Sequence, residues 1–327
     1  MVNGISKTSV PKRWSDYINK EMSNLEIEMV SIDRFQEKIW KCRKEEYIVH
    51  GHHIKAMALF MIFNFFLNKN TLYTLHGSYH FLSKTNQFLL RFIFKWADKI
   101  VFVNQVVYED IPESIKVKIS HKCDIILNGI ENSYDYKKTD VYDKFNINAD
   151  DTLIFHPARF VEEKNHLRLI DAIKSVIDKD KRVKLLLAGS GVLEDKIRQR
   201  IQELDLSENV VFLGLIQRDE VYCFLESCDL FVMPSISEGL NIAFLEAVSM
   251  KCKVLVSDIA SFTYPFKHYD LMPSDFNIRF VDPLDSALMA KNIENALADE
   301  KKENFDFSKF SLENMVSAYF KIYKQLQ

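Results

Sequence analysis

Pro234-Ser235-Ile236-Ser237-Glu238-Gly239-Leu240-Asn241-Ile242-Ala243-Phe244-Leu245-Glu246-Ala247 follows an apolar run, 230–233, that reads as a buried strand. The Pro, Ser and Gly residues predict a turn. The apolar pattern after it predicts a helix over 240–250. A helix entered from a strand in this way presents unpaired backbone N–H groups at its first turn. Those groups and the helix dipole attract anions and can bond sugar hydroxyls. Glu238 stands just ahead of the predicted helix and Glu246 about two turns inside it. Both carboxylates are acceptors suited to a hydroxyl-rich ligand. Taken alone, the pair reads more readily as a first-turn capping carboxylate and a solvated helix residue; the surrounding string changes that balance.

Outward from this stretch, short apolar runs alternate with helical patterns. Strands are expected at 152–156, 183–188, 210–213 and 253–257, and helices at 166–179, 193–204 and 218–226. The first half shows the same rhythm. Strands are expected at 1–5, 27–32, 47–49, 71–75, 99–103 and 123–127, and helices at 13–22, 55–67 and 86–97. Alternation of this kind predicts parallel sheets joined by right-handed crossovers. Two such series predict an α/β protein of two doubly wound, Rossmann-like domains facing a cleft, with ligands outside the carboxyl ends of the strands. The expected domains are 1–135 and 136–305, split at a polar stretch after Asn128-Gly129. Residues 306–327 form a terminal helix packing back towards the first domain. Ser311 is its natural N-cap, and Met315, Tyr319, Ile322 and Leu326 form one stripe.

Composition narrows the classes. With 327 residues, two cores are expected. The chain carries 43 basic and 46 acidic residues, a net charge of −3, which argues against a general nucleic-acid binder. Cys42, Cys123, Cys223, Cys228 and Cys252 form no metal or redox spacing and read as reduced thiols of a cytoplasmic protein. Met1-Val2-Asn3-Gly4 opens no apolar run, so no signal peptide is expected. The longest uncharged apolar run, 56–68, falls short of the about 20 residues a span needs.

The string from Pro234 resembles the signature of family 4 glycosyltransferases, the retaining GT-B enzymes of glycosyl transferases group 1. Further matches occur in order. His156-Pro157-Ala158-Arg159-Phe160-Val161-Glu162-Glu163-Lys164 is similar to the family's strand–Arg–loop–Lys segment, and Leu187-Ala188-Gly189-Ser190-Gly191 to its strand–Gly-x-Gly turn. Val210-Val211-Phe212-Leu213-Gly214, Thr74-Leu75-His76-Gly77 and Leu127-Asn128-Gly129-Ile130 match further landmarks. The likeness runs from about residue 70 to residue 327; residues 1–70 match poorly. The first loop, Gly4-Ile5-Ser6-Lys7-Thr8, has one Gly where the family is Gly-rich, and Asn165 stands where Gly commonly follows the Lys.

The resemblance implies roles. Arg159 and Lys164 would clamp the donor diphosphate, since cations there offset charge that grows as the nucleotide leaves. Glu238 would face the donor sugar and Glu246 the ribose. Backbone N–H groups of Gly239, Leu240 and Asn241 would hold hydroxyls or phosphate. Gly189, Gly191 and Gly4 would let the chain approach the nucleotide, and Leu215 and Ile216 would flank the base. His76 would touch the transferred sugar across the cleft. The implied co-substrate is a UDP- or GDP-linked sugar and no separate cofactor is expected. No metal is expected either: Asp178-Lys179-Asp180 reads as a solvated loop, and His50, His52 and His53 lack acidic or cysteine partners at ligand spacing.

The acceptor is written more thinly. Runs 57–67 and 88–96 are apolar and aromatic, with a basic excess between Lys55 and Lys99. Two readings stay open: helices covering the first sheet, or a surface meeting an anionic membrane. The expectation is a hexosyltransferase extending a lipid-linked saccharide in surface polysaccharide synthesis at the inner membrane face. Two rivals are a non-catalytic scaffold of the same fold and a nucleotide-sugar 2-epimerase.

Overall fold

The computed structural model describes residues 47–131, 136–138, 140–145 and 147–327. The elements expected before residue 47, together with Gly4, Lys7, Thr8 and Cys42, lie outside the described residues. The chain divides into two units: Met1–Gly129 with Phe310–Gln327, and Ile130–Lys309.

In the first unit, β1 (Ile48–Gly51), β2 (Asn70–Leu75), β3 (Lys99–Phe102) and β4 (Cys123–Ile125) form a parallel sheet in the order β1-β2-β3-β4. Helices Ile54–Leu67 and Lys84–Trp96 are the crossovers after β1 and β2. Residues 71–75 of β2 are all buried, as a strand covered on both faces requires.

The terminal helix Leu312–Leu326 belongs to this unit. Ser311 caps it by accepting from the Asn314 N–H at 3.2 Å. Its Met315, Val316, Tyr319, Ile322, Tyr323 and Leu326 pack with Leu72, Val101 and Ile126. Each such burial contributes about 1.5–3 kcal/mol. Gly129 fixes the crossing: a Cβ there would lie 2.4 Å from the Ser311 carbonyl oxygen. The chain therefore leaves the unit after Gly129 and re-enters it at Phe310.

The second unit holds β5 (Thr152–Pro157), β6 (Val183–Ala188), β7 (Val210–Gly214), β8 (Leu230–Met233), β9 (Val254–Ser257) and β10 (Ile278–Val281). They form a parallel sheet in the order β10-β9-β8-β5-β6-β7. This is the doubly wound order, and its direction of winding reverses between β5 and β8. Helices His166–Lys179 and Ser286–Ala298 bury Leu169, Ile173, Val176, Met289 and Ile293 in one core with Leu185, Leu187 and Val232. The structure adds elements not expected from sequence after Ser257: helix Ala260–His268, strand β10 and helix Ser286–Ala298.

Candidate functional site

The switch between β5 and β8 is where two neighbouring strands send their following loops in opposite directions, opening a crevice at their carboxyl ends. The β5 loop carries Arg159 and Lys164, and the β8 loop carries Ser235, Glu238 and Asn241. The structure brings Lys164 and Glu238 into direct contact as a side-chain ion pair. Their side chains are only 13% and 8% exposed, so the pair is shielded from water.

Glu238 Oε1 accepts three donors: Lys164 Nζ, Ser235 Oγ at 2.7 Å and Asn241 Nδ2 at 3.1 Å. Oε2 takes no hydrogen bond among the described residues. The carboxylate is thus oriented by one oxygen and keeps the other as an acceptor.

The loop that presents it is tied down from both sides. Asn165 Nδ2 donates to the Pro234 and Pro283 carbonyls at 3.0 and 2.7 Å, and the Ile236 N–H donates to the Glu163 carbonyl at 2.8 Å. Ser257 and Ser261 hydroxyls hold the Ser235 and Glu238 carbonyls, each at 2.6 Å. Asn165 sits in the left-handed region, φ 60. That conformation explains a residue position open to Gly, and Asn tolerates it while its amide locks the two loops together.

The helix after the loop begins at Ile242, two residues later than expected. Asn241 is its N-cap, accepting from the Phe244 N–H at 3.2 Å. Gly239 and Leu240 stay in the turn, ahead of the Asn241 cap. Glu246 is not a solvated helix residue. It is 6% exposed, and its Oε1 accepts from Arg218 Nη2 at 2.5 Å and Tyr222 OH at 3.1 Å. Tyr136 packs on Tyr222 with ring centroids 5.3 Å apart. Arg218 was not singled out in the sequence; its only signal is a cation four residues before Tyr222 at a helix start.

Arg159 projects into solvent, and its side chain takes no partner among the described residues. Leu215 is exposed and Ile216 half-buried in the loop after β7. Gly189 and Gly191 have an internal reason to be glycine. A Cβ on Gly189 (φ +148) would lie 2.1 Å from the Ala158 carbonyl oxygen, and one on Gly191 2.4 Å from that of Phe160. The β5 and β6 loops pack backbone to backbone there.

Behind Lys164, the rings of His156 and His166 meet at a tilt, with centroids 4.6 Å apart. His156 Nδ1 lies 2.8 Å from the Val232 carbonyl, while His156 Nε2 and both nitrogens of His166 have no partner among the described residues. Burial first, then the Lys164 charge, holds His156 down to about 4, against a raising bond from Val232. Burial and the neighbouring His156 push His166 down to about 2.

In the first unit, His76 directly follows β2 and its Nε2 lies 2.9 Å from His52 Nδ1. Burial lowers His76 to about 4. His50 is fastened by Tyr323 OH and Thr74 Oγ1, each at 2.7 Å, and burial, then His76, lowers it to about 3. His50, His52 and His76 are therefore neutral, hydrogen-bonded rings. Among the described residues no group of His, Cys, Asp or Glu is arranged to hold a metal ion. Asp178 and Asp180 are held in surface ion pairs with Lys174, Lys181 and Arg182.

A family model described as Glycosyl transferases group 1 matches residues 137–310, just over half of the chain. The chain belongs to the glycosyl transferases group 1 family. Its relatives include an N-acetylgalactosamine-N,N'-diacetylbacillosaminyl-diphospho-undecaprenol 4-alpha-N-acetylgalactosaminyltransferase of Campylobacter jejuni, 29% identical over 55% of this chain and 46% of that protein. Another is the O-antigen biosynthesis glycosyltransferase WclY of Escherichia coli, 26% identical over 63% of this chain and 57% of that protein. The chain spans about half the length of the curated relatives it matches. Among solved structures, Anabaena Alr3699/HepE in complex with UDP and glucose aligns with TM-score 0.74 at 17% identity, covering 89% of this chain and 81% of that one. A glycosyltransferase from Rickettsia africae aligns with TM-score 0.66 at 20% identity, over 95% and 87%. These likenesses establish the GT-B fold for this group 1 chain: two Rossmann-like domains with parallel sheets.

Proposed function

We propose that this protein is a retaining, metal-independent glycosyltransferase. It moves a hexose-type sugar from a UDP- or GDP-linked donor to a saccharide acceptor, lipid-linked, in surface polysaccharide synthesis at the inner face of the membrane. The observation that carries the reading is the Glu238 carboxylate, buried at the β5–β8 switch point, with Oε1 saturated by Lys164, Ser235 and Asn241 and Oε2 left as an acceptor.

In this reading Oε2 accepts from a hydroxyl of the donor sugar. The N-terminus of helix Ile242–Ser249, with the Gly239–Asn241 turn before it, faces the diphosphate. Arg159, exposed and without an ion-pair partner among the described residues, supplies the cation that meets the phosphates; Lys164 adds charge there while fixing Glu238. Glu246, held by Arg218 and Tyr222, and the loop residues Leu215 and Ile216 flank the nucleoside. His76, a neutral ring of the first unit, keeps the sugar-contacting role that the family resemblance implies.

The chemistry then needs no side-chain nucleophile. The anomeric C–O bond breaks and its electron pair leaves with the diphosphate. The acceptor oxygen bonds the anomeric carbon on the same face, and its proton passes to a leaving-phosphate oxygen. The residues contribute by stabilising growing phosphate charge and by positioning. The lipid-linked acceptor draws support from the Campylobacter relative, whose name specifies a diphospho-undecaprenol-linked sugar.

The test is a screen of UDP- and GDP-sugars for hydrolysis and transfer by the purified protein, with product analysis. Release of free sugar or of an extended acceptor supports the reading. A sugar epimer without cleavage, or no turnover and no nucleotide-dependent stabilisation, overturns it.

A further inference from the structure

Helix Ile54–Leu67 is apolar at nearly every position, and such a helix ordinarily lies inside a core. Here only one side is inside: Met57, Ala58, Phe60 and Met61 are buried. Its other side leaves Leu59, Ile62, Phe65 and Phe66 in solvent, with Phe65 74% and Phe66 88% exposed. Helix Lys84–Trp96 beside it exposes Phe88, at 71%, and Trp96. Phe65 meets Trp96 edge-to-face with ring centroids 5.5 Å apart, so the two exposed faces join. One exposed phenylalanine needs no explanation, but a contiguous cluster does.

The charge along these two helices has one sign. From Tyr47 to Ala97 the sequence contains no Asp or Glu, in a chain whose net charge is −3. The stripe Lys84, Phe88, Arg91, Lys95 follows helical spacing, and all four residues are exposed. Lys55 is exposed at the start of the first helix. None of Lys55, Lys84, Arg91 and Lys95 is in an ion pair among the described residues, and Lys95 Nζ lies over the Trp96 ring at 5.1 Å. No helix among the described residues is long and apolar enough to cross a membrane.

We infer that the joined faces of these two helices dock on an anionic lipid bilayer, with Ile62, Phe65, Phe66, Phe88 and Trp96 entering the headgroup–acyl boundary and Lys55, Lys84, Arg91 and Lys95 binding lipid phosphates. The charge decides this occupant over a second copy of the chain. A symmetric dimer through this face would set its cations against the same cations, whereas an anionic leaflet complements them. Apolar insertion alone, or charge alone, binds weakly; the two together give stable attachment. The inference deepens the lipid-linked reading above and rests on it for why a membrane is the partner.

The test is co-flotation of the full chain with phosphatidylcholine vesicles, with and without phosphatidylglycerol. Binding is expected with phosphatidylglycerol and is weakened by high salt. Each cation near such a surface adds about a factor of five, so R91E/K95E lowers binding by more than about tenfold. F65S/F66S lowers it comparably even at low salt. Both variants alter exposed side chains, and an unchanged melting temperature confirms their fold. Binding that ignores both variants, or a chain that remains unbound at low salt, overturns the inference. So does a concentration-dependent dimer that the variants dissolve while vesicles recruit nothing. Donor hydrolysis in solution, measured on the same preparations, reports separately on the transferase reading.

Discussion

Lys164 and Glu238, 74 residues apart in sequence, form a buried ion pair between the loops that follow β5 and β8. Removing one partner of such a pair leaves an uncompensated charge, at a cost of about 3–5 kcal/mol. Lys164→Ala is expected to destabilise the second unit by roughly 3 kcal/mol and to abolish transfer. Glu238→Gln, which keeps the shape, is expected to cost less stability but to lose transfer. Urea unfolding beside a transfer assay separates the two effects. A Lys164→Ala protein of wild-type stability would contradict the geometry.

Arg218 holds Glu246 from the neighbouring helix. Arg218→Ala leaves a carboxylate that is 6% exposed without this cation. The expected loss is about 3 kcal/mol in urea unfolding. Arg218→Ala/Glu246→Leu, which removes both charges, is expected to recover most of it. A double variant as unstable as the sum of its singles would show that the two side chains act independently.

Gly189→Ala and Gly191→Ala each drive a methyl group into a carbonyl oxygen of the β5 loop. Each is expected to lower stability by about 2–3 kcal/mol, with Gly189 the worse because its φ of +148 also strains any side chain. The readout is the melting temperature without nucleotide. If both variants melt like wild type and lose only nucleotide binding, the glycines serve the ligand instead.

Much of this was legible in the sequence because strands and helices announce themselves by local pattern. Helix His166–Lys179 and strands 183–188 and 230–233 fall where apolar spacing puts them. The elements after Ser257 were not. Helix Ala260–His268 contains Pro265, and β10 is four residues long with Arg279 within it, so neither offers a periodic signal. The site divides the same way. The turn before helix Ile242–Ser249 reads from its Pro, Gly and Asn. The pairing of Lys164 with Glu238, and of Arg218 with Glu246, is a tertiary event between loops or helices distant in sequence. For Gly189 and Gly191 the sequence shows only a turn, whereas the close approach of the Ala158 and Phe160 carbonyls that excludes a Cβ is a tertiary feature.

Acid sensitivity follows from the buried histidines. His76 and His156 are held near 4 and His166 near 2, chiefly by burial, below the 6.5 of an exposed ring. Between those values the unfolded chain binds more protons than the folded one, so stability is complete above about pH 6.5 and falls as pH drops towards 4. Each ring contributes up to about 1.4 kcal/mol per pH unit in that window. Urea midpoints at pH 7 and pH 5 check this. His166→Leu, which buries no unpaired nitrogen, is expected to stabilise by about 1 kcal/mol and to flatten the slope.

The central claim is that Glu238 Oε2 accepts from the donor sugar while the rest of the site holds the nucleotide. Thermal shift with a saturating nucleotide diphosphate and with the matching nucleotide sugar tests it most directly, on wild type and Glu238→Gln. Stabilisation follows RT ln(1+[L]/Kd) for a ligand that binds only the folded chain. The account predicts that both proteins gain equally from the nucleotide alone, and that only wild type gains further from the sugar. An equal further gain in Glu238→Gln, or no shift in wild type with any UDP- or GDP-sugar, would contradict it.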